Sequence, residues 1–221
     1  MNPDAETTPL RQYSTLDRLI MLADQALRLS SGLAPEPDRP SPAGDLPEPE
    51  LDAAERSHTA GLMRVNHAGE ICAQALYAGQ AATARNPEVK MAMKQAAREE
   101  IDHLAWCEGR LRELDSHTSV LNPLWYAGSF AIGAVAGLAG DQWSLGFLKE
   151  TEIQVEAHLE EHIDRLPEQD QRSHAILAKM KTDEAHHAEM AADAGAADLP
   201  QPVRQLMGMV SQIMKSVAYR F

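Results

Sequence analysis

Apolar residues recur every three to four positions along most of this chain, the period of helices with one buried face. Leu16, Leu19, Ile20, Ala23 and Leu27 keep that spacing, so 14–30 reads as an amphipathic helix. Ala34 to Pro49 is dense in proline and reads as an extended connector, long enough to let the first helix strap the molecule from outside. Residues 1–11 are polar and read as loose. Longer helices are expected at about 52–84 and 88–115, then through Glu152 to about 166, and over 171–192. Beyond Pro200 and Pro202, the stripe Val203, Leu206, Val210, Ile213 and Val217 marks a last helix ending near Tyr219. The pattern describes an all-α four-helix bundle with additional N-terminal and C-terminal helices. It divides into 1–50, a helix and linker, and 51–221, the bundle, with an apolar segment at 118–148.

Two sets of polar residues interrupt the helical faces in matching ways. Glu70 precedes Glu100-Ile-Asp-His103, and Glu152 precedes Glu184-Ala-His-His187. A Glu and a His three apart share one helix face. The strong breaker between Glu70 and Glu100 is Asn86-Pro87, roughly midway, and Pro167 to Asp170 sits midway between Glu152 and Glu184. At about 1.5 Å per residue, equal arms return the chain to the same height. Each hairpin therefore sets its lone Glu beside its own Glu-x-x-His. Two such hairpins facing each other gather four carboxylates and two imidazoles, the ligand set of a di-iron or di-manganese carboxylate site. Glu70 and His103 would then terminate one metal, Glu152 and His187 the other, with Glu100 and Glu184 bridging. Iron suits oxygen and imidazole ligands, and four glutamates would offset the charge of a ferrous pair.

Spacing leaves some register open. Glu99 stands four residues before His103, Glu156 one turn beyond Glu152, and Asp183 and His186 form a second pair. Tyr77 lies two turns past Glu70 and is a candidate to support the site from behind or to be redox-active; His158 follows Glu152 and is a candidate to support the site or to move a proton. His58, His117, His162 and His174 read as solvated, and Cys107 as a small buried thiol.

Composition narrows the class. The chain has 221 residues, a net charge of −13 and 5% aromatics, with helix-favouring residues throughout. Such acidity argues against a nucleic-acid partner. Two cysteines imply no disulfide framework. From Thr118 to Gly140 there is no charged residue. A membrane crossing there would place Glu100 and Glu152 on opposite sides and destroy the site. The segment must therefore dip and return, lie at the interface, or pack within the bundle. Trp125, Tyr126 and Trp143 favour membrane contact. Gly133-x-x-x-Gly137 would let another helix come close, which weakly favours a homo-oligomer.

The run Arg64-Val65-Asn66-His67-Ala68-Gly69-Glu70, with Tyr77-Ala78-Gly79-Gln80, Glu99 to Leu104 and Asp183 to His187, resembles the demethoxyubiquinone hydroxylase family over about 55–221. The resemblance implies a ferritin-like bundle and two iron ions per chain held by Glu70, Glu100, His103, Glu152, Glu184 and His187. It implies O2-dependent hydroxylation of a 2-polyprenyl-3-methyl-6-methoxy-1,4-benzoquinone or its quinol, late in ubiquinone biosynthesis. The expected setting is peripheral, on the cytoplasmic side of the cell membrane, with an external electron donor or the quinol itself and an accessory ubiquinone-biosynthesis protein as a further partner. His158 matches a family histidine near the site, but the tyrosine that follows it in animal members is Leu159 here. The main rival is a ferritin-like iron oxidase or storage protein without an organic substrate.

Overall fold

Seven helices occupy the residues described by the computed structural model, 14–221: α1 Thr15–Ser30, α2 Ala53–Thr83, α3 Pro87–Glu113, α4 Asn122–Leu138, α5 Asp141–Arg165, α6 Gln171–Asp193 and α7 Gln201–Ala218. The expectation for residues 1–11, and the side chains of Leu16 and Leu19, lie outside what is described. Local chemistry sets the helix ends. Asp52 caps α2 in a reciprocal box with Glu55, and Ser14 does the same for α1 with Asp17. Asn86 caps α3, with Pro87 at the first turn, where its missing N–H costs nothing. Asp170 caps α6 through the Ser173 N–H.

Helices α2 and α3 form one hairpin, and α5 and α6 the other. The first turn is tethered to the second hairpin, because the Asp141 carboxylate accepts from the N–H groups of Arg85 and Asn86 at 3.1 and 2.9 Å. Helix α3 faces α6, and α2 faces α5, which closes the bundle. The all-α, ferritin-like bundle expected from the sequence is the fold observed.

The flanking parts cover opposite sides. Helices α1, α4 and α7 pack against the α2 side of the bundle. The apolar segment forms α4, which lies along α2 at very close range. A Cβ on Gly133 would stand 2.2 Å from the Leu76 carbonyl oxygen, and one on Gly79 2.3 Å from that of Phe130. The small-residue stripe thus serves packing inside one chain, and it no longer argues for pairing between chains. Leu124, Val135 and Leu138 on α4, with Leu206, Met209 and Ile213 on α7, stay more than half exposed. Among the described residues, no helix is long and apolar enough to cross a membrane.

On the far side the connector itself, rather than α1, crosses α3 and α6. Glu48 pairs with Arg110 of α3 at 3.0 Å and with Arg172 of α6 at 3.4 Å. The buried Arg110 also holds Asp170 at 3.0 Å, so one guanidinium joins the connector, α3 and the α6 cap.

Candidate metal centre

Six side chains meet at the middle of the bundle: Glu70 from α2, Glu100 and His103 from α3, Glu152 from α5, Glu184 and His187 from α6. All six are buried. They form two overlapping groups. Donor atoms of Glu70, Glu100, His103 and Glu184 lie within 4.8 Å of one another, as do those of Glu100, Glu152, Glu184 and His187. Glu100 and Glu184 belong to both groups, the placement that spacing gives to bridging residues.

The two histidines present the same nitrogen inward. His103 Nδ1 lies 2.9 Å from Glu100 and 3.1 Å from Glu184. His187 Nδ1 lies 3.1 Å from Glu184 and 3.2 Å from Glu100. Outward, His103 Nε2 donates to Asp183 at 3.1 Å, and His187 Nε2 to Glu99 at 2.7 Å. An ionised carboxylate only accepts, so each Nε2 carries the proton. In the neutral ring, each Nδ1 then has a lone pair for a metal. The outer acids are exchanged between hairpins: Asp183 on α6 orients the histidine of α3, and Glu99 on α3 orients that of α6. A carboxylate behind an imidazole is the usual outer support of a ligating histidine. Glu99 and Asp183, alternatives for the inner set by spacing, therefore stand one layer out. His186 is exposed and Glu156 half-buried, and neither joins the cluster.

Electrostatics explain why such a cluster wants a cation. Burial and the nearby Glu100 push Glu70 well above its usual range, and burial with Glu184 does the same to Glu152. Burial alone would lower both ring values, but Glu100 and its neighbours outweigh it. His103 is raised well above normal, and His187 is pushed up to about 12. Without a metal, four carboxylates share a dry space only by keeping protons among them. Glu152 Oε1 remains without a hydrogen-bond donor, and Glu184 Oε1 and Glu100 Oε1 face only the inward Nδ1 atoms of His103 and His187, at 3.1 and 3.2 Å. Carboxylate oxygens converging on one another and on two inward imidazoles fit divalent cations better than they fit each other.

Other candidates fall elsewhere. Tyr77 is buried in an apolar cluster with Met93, Leu145 and Leu148, and its hydroxyl has no partner among the described residues. His158 is buried, its Nε2 also lacks a partner, and its ring packs on His162 rather than on a site residue. His162, expected to be solvated, is buried and lies 2.9 Å from Asn66 Oδ1, because α7 covers that part of the α5 surface. His58 is half-buried and meets the Tyr219 hydroxyl at 2.7 Å. Cys107 is buried beside Met180 and stays outside the cluster.

Most of the Arg64–Glu70 run is scaffold. Arg64 binds the carbonyls of His117 and Tyr219, Asn66 holds His162, and His67 meets Glu108 at 3.2 Å; Glu70 alone reaches the cluster. Arg39 is the residue that spacing misses. Its Nη1 donates to Asp183 at 2.8 Å. Its partners lie 63 and 144 residues away, and a lone arginine among prolines gives no local signal.

A four-helix bundle with a Glu and a Glu-x-x-His on each of two facing hairpins defines the ferritin-like class of carboxylate metal proteins. Within it, residues 57–218 match the family described as ubiquinone biosynthesis protein COQ7, and the chain belongs to that family. Its relatives include the 3-demethoxyubiquinol 3-hydroxylase of Xanthomonas campestris pv. campestris (strain 8004), 59% identical over 96% of this chain and 98% of that protein. The protein of the same name from Xanthomonas oryzae pv. oryzae (strain PXO99A) is 58% identical over 97% and 99%. That from Polynucleobacter necessarius subsp. necessarius (strain STIR1) is 55% identical over 94% and 99%.

Proposed function

We propose that this chain hydroxylates a polyprenyl methoxy-benzoquinone or its quinol with O2, a late step of ubiquinone biosynthesis, at two iron ions. The observation that carries the reading is the pair of overlapping ligand groups sharing Glu100 and Glu184, in a chain close over its whole length to 3-demethoxyubiquinol 3-hydroxylases. Glu70 and His103 would hold one ion, Glu152 and His187 the other, and Glu100 and Glu184 both. When bound, the iron pair supplies the two-electron reduction of O2 that hydroxylation requires. The chain's own part is to fix the donors in a dry cavity, with Asp183 and Glu99 setting the imidazole rings. His158, a candidate from sequence to move a proton, stands outside both ligand groups and packs on His162. Burial holds it at about 3, so it stays neutral with Nε2 free to meet a polar group.

A tailed quinone resides in lipid, so the enzyme would sit on the membrane surface, peripherally and on the cytoplasmic side. The exposed apolar residues of α4 and α7 support that placement. Trp125 and Phe130 are partly buried against the core and are poorer probes of it. Electrons would come from an external donor or the quinol, since no nicotinamide or flavin fingerprint occurs in the chain. An iron oxidase or store would need no such apolar face.

Glu184→Ala removes a residue common to both ligand groups and should abolish hydroxylation; unchanged hydroxylation would overturn the reading. Replacing Leu124, Val135 and Leu138 together by serine should lower recovery on vesicles made with anionic lipid; unchanged recovery would remove the membrane placement.

A further inference from the structure

The proline-rich connector reaches the metal centre from outside the bundle. The N–H groups of Asp38 and Arg39 meet Asp102 Oδ1 at 2.7 and 3.3 Å. Arg39 Nε donates to Asp102 Oδ2 on α3, and its Nη1 to Asp183 Oδ2 on α6. Asp183 Oδ2 also accepts from His103 Nε2. Trp106 locks the arrangement. Its Nε1 donates to the Arg39 carbonyl at 3.2 Å, the guanidinium lies 5.0 Å from its ring centre, and the ring stands 5.3 Å from that of His103.

The other half of the centre has a different outer layer. Glu99, behind His187, takes its further side-chain hydrogen bond from Gln95, a neutral amide on the same helix. The two inner sets are alike, but only His103 rests on a carboxylate that a guanidinium shares with a second acid.

The geometry points to Arg39 as a positioning residue for His103, acting through Asp183, so that a segment outside the bundle makes the two metal positions inequivalent. This rests on the metal reading above. The matched family region begins at residue 57, so it does not include Arg39. Three physical steps support the assignment. Asp102 and Asp183 come from different helices and would repel across the α3–α6 seam; one planar fork bridges them and offsets that repulsion. With Lys179 on Oδ1 and Arg39 on Oδ2, the Asp183 carboxylate has one orientation in which to receive the His103 proton. A carboxylate shared with a guanidinium also gives less of its charge to the imidazole, so the two histidines differ as donors.

Cobalt(II), added to the metal-free full-length protein, tests this by two readouts apart from activity. One is the stepwise binding isotherm. The other is the proton NMR spectrum of the loaded protein, where each ligating histidine contributes one shifted, exchangeable N–H signal. Arg39→Gln should move one signal and leave the other, and weaken one binding step by less than the roughly 10–100-fold expected from loss of the Asp183 carboxylate itself. Arg39→Lys keeps the charge and the packing on Trp106, so it should fold, but an ammonium does not bridge both acids and the same signal should move. Glu48→Gln loosens the connector at its other anchor and should lower the melting temperature with both signals in place. If Arg39→Gln or Arg39→Lys moves both signals or neither, or if Glu48→Gln moves the same one, the inference falls while the metal reading stands. If the unaltered protein takes up no cobalt, both fall.

Discussion

Two pairs of buried histidines share this bundle and behave in opposite ways. His103 and His187 are raised far above their ordinary value, while His158 and His162 are held down at about 3 and about 2. Burial opposes the charge in all four. The difference lies in what faces each ring. His103 and His187 look onto Glu100 and Glu184 within 3.2 Å. His158 and His162 look onto each other, with Arg165 and Lys215 nearby. Burial alone therefore makes a histidine a neutral part of the core, and converging carboxylates turn one into a candidate ligand.

The largest contrast should come from truncation within each pair. His187→Ala is expected to cost one metal position outright, seen as lost metal per chain by elemental analysis. His158→Ala should leave the metal content unchanged, and a loss of metal there would break the comparison. Next come the outer acids. Asp183→Asn and Glu99→Gln should each weaken metal binding by about 10–100-fold, roughly 1.4–2.8 kcal/mol, and each on a different half of the centre. Calorimetric titration of the two variants checks this; an identical effect on both binding steps would contradict the exchange of acids between hairpins.

A smaller effect concerns pH. His158 and His162 have folded values below the ordinary 6.5, so the unfolded chain binds more protons beneath that pH. Their contribution to stability is complete above pH 6.5 and is lost as pH falls toward 3. Each should cost about 1–2 kcal/mol at pH 5. The melting temperature of the metal-free protein should thus fall less between pH 7 and pH 5 in His158→Gln and His162→Gln than in the unaltered chain. Equal slopes would show these rings to be hydrated.

Helices were legible where their ends carry their own chemistry. Asp52 with Glu55, and Asn86 with Pro87, fix α2 and α3 within a few residues of the expected bounds. The meeting of the six inner residues was legible because hairpin arms of equal length leave little freedom. Contacts between distant segments were not. His162 looks like a surface residue until α7 is laid over α5, and nothing local to α5 foretells that. Gly133 and Gly137 announce a close approach, but its partner, α2 at Gly79, comes only from the packing. Arg39 reads as part of a spacer, and only the fold brings Asp102 and Asp183 under it.

The central claim, that this bundle holds an iron pair that hydroxylates a methoxy-quinone, is tested most directly by anaerobic loading with ferrous iron. Metal content is then measured, O2 and a reductant are added, and the quinone product is followed by mass. Two irons per chain, one for each ligand group, and a product heavier by one oxygen are expected. Iron uptake and O2 consumption with the quinone left unchanged would contradict the claim and favour an iron oxidase.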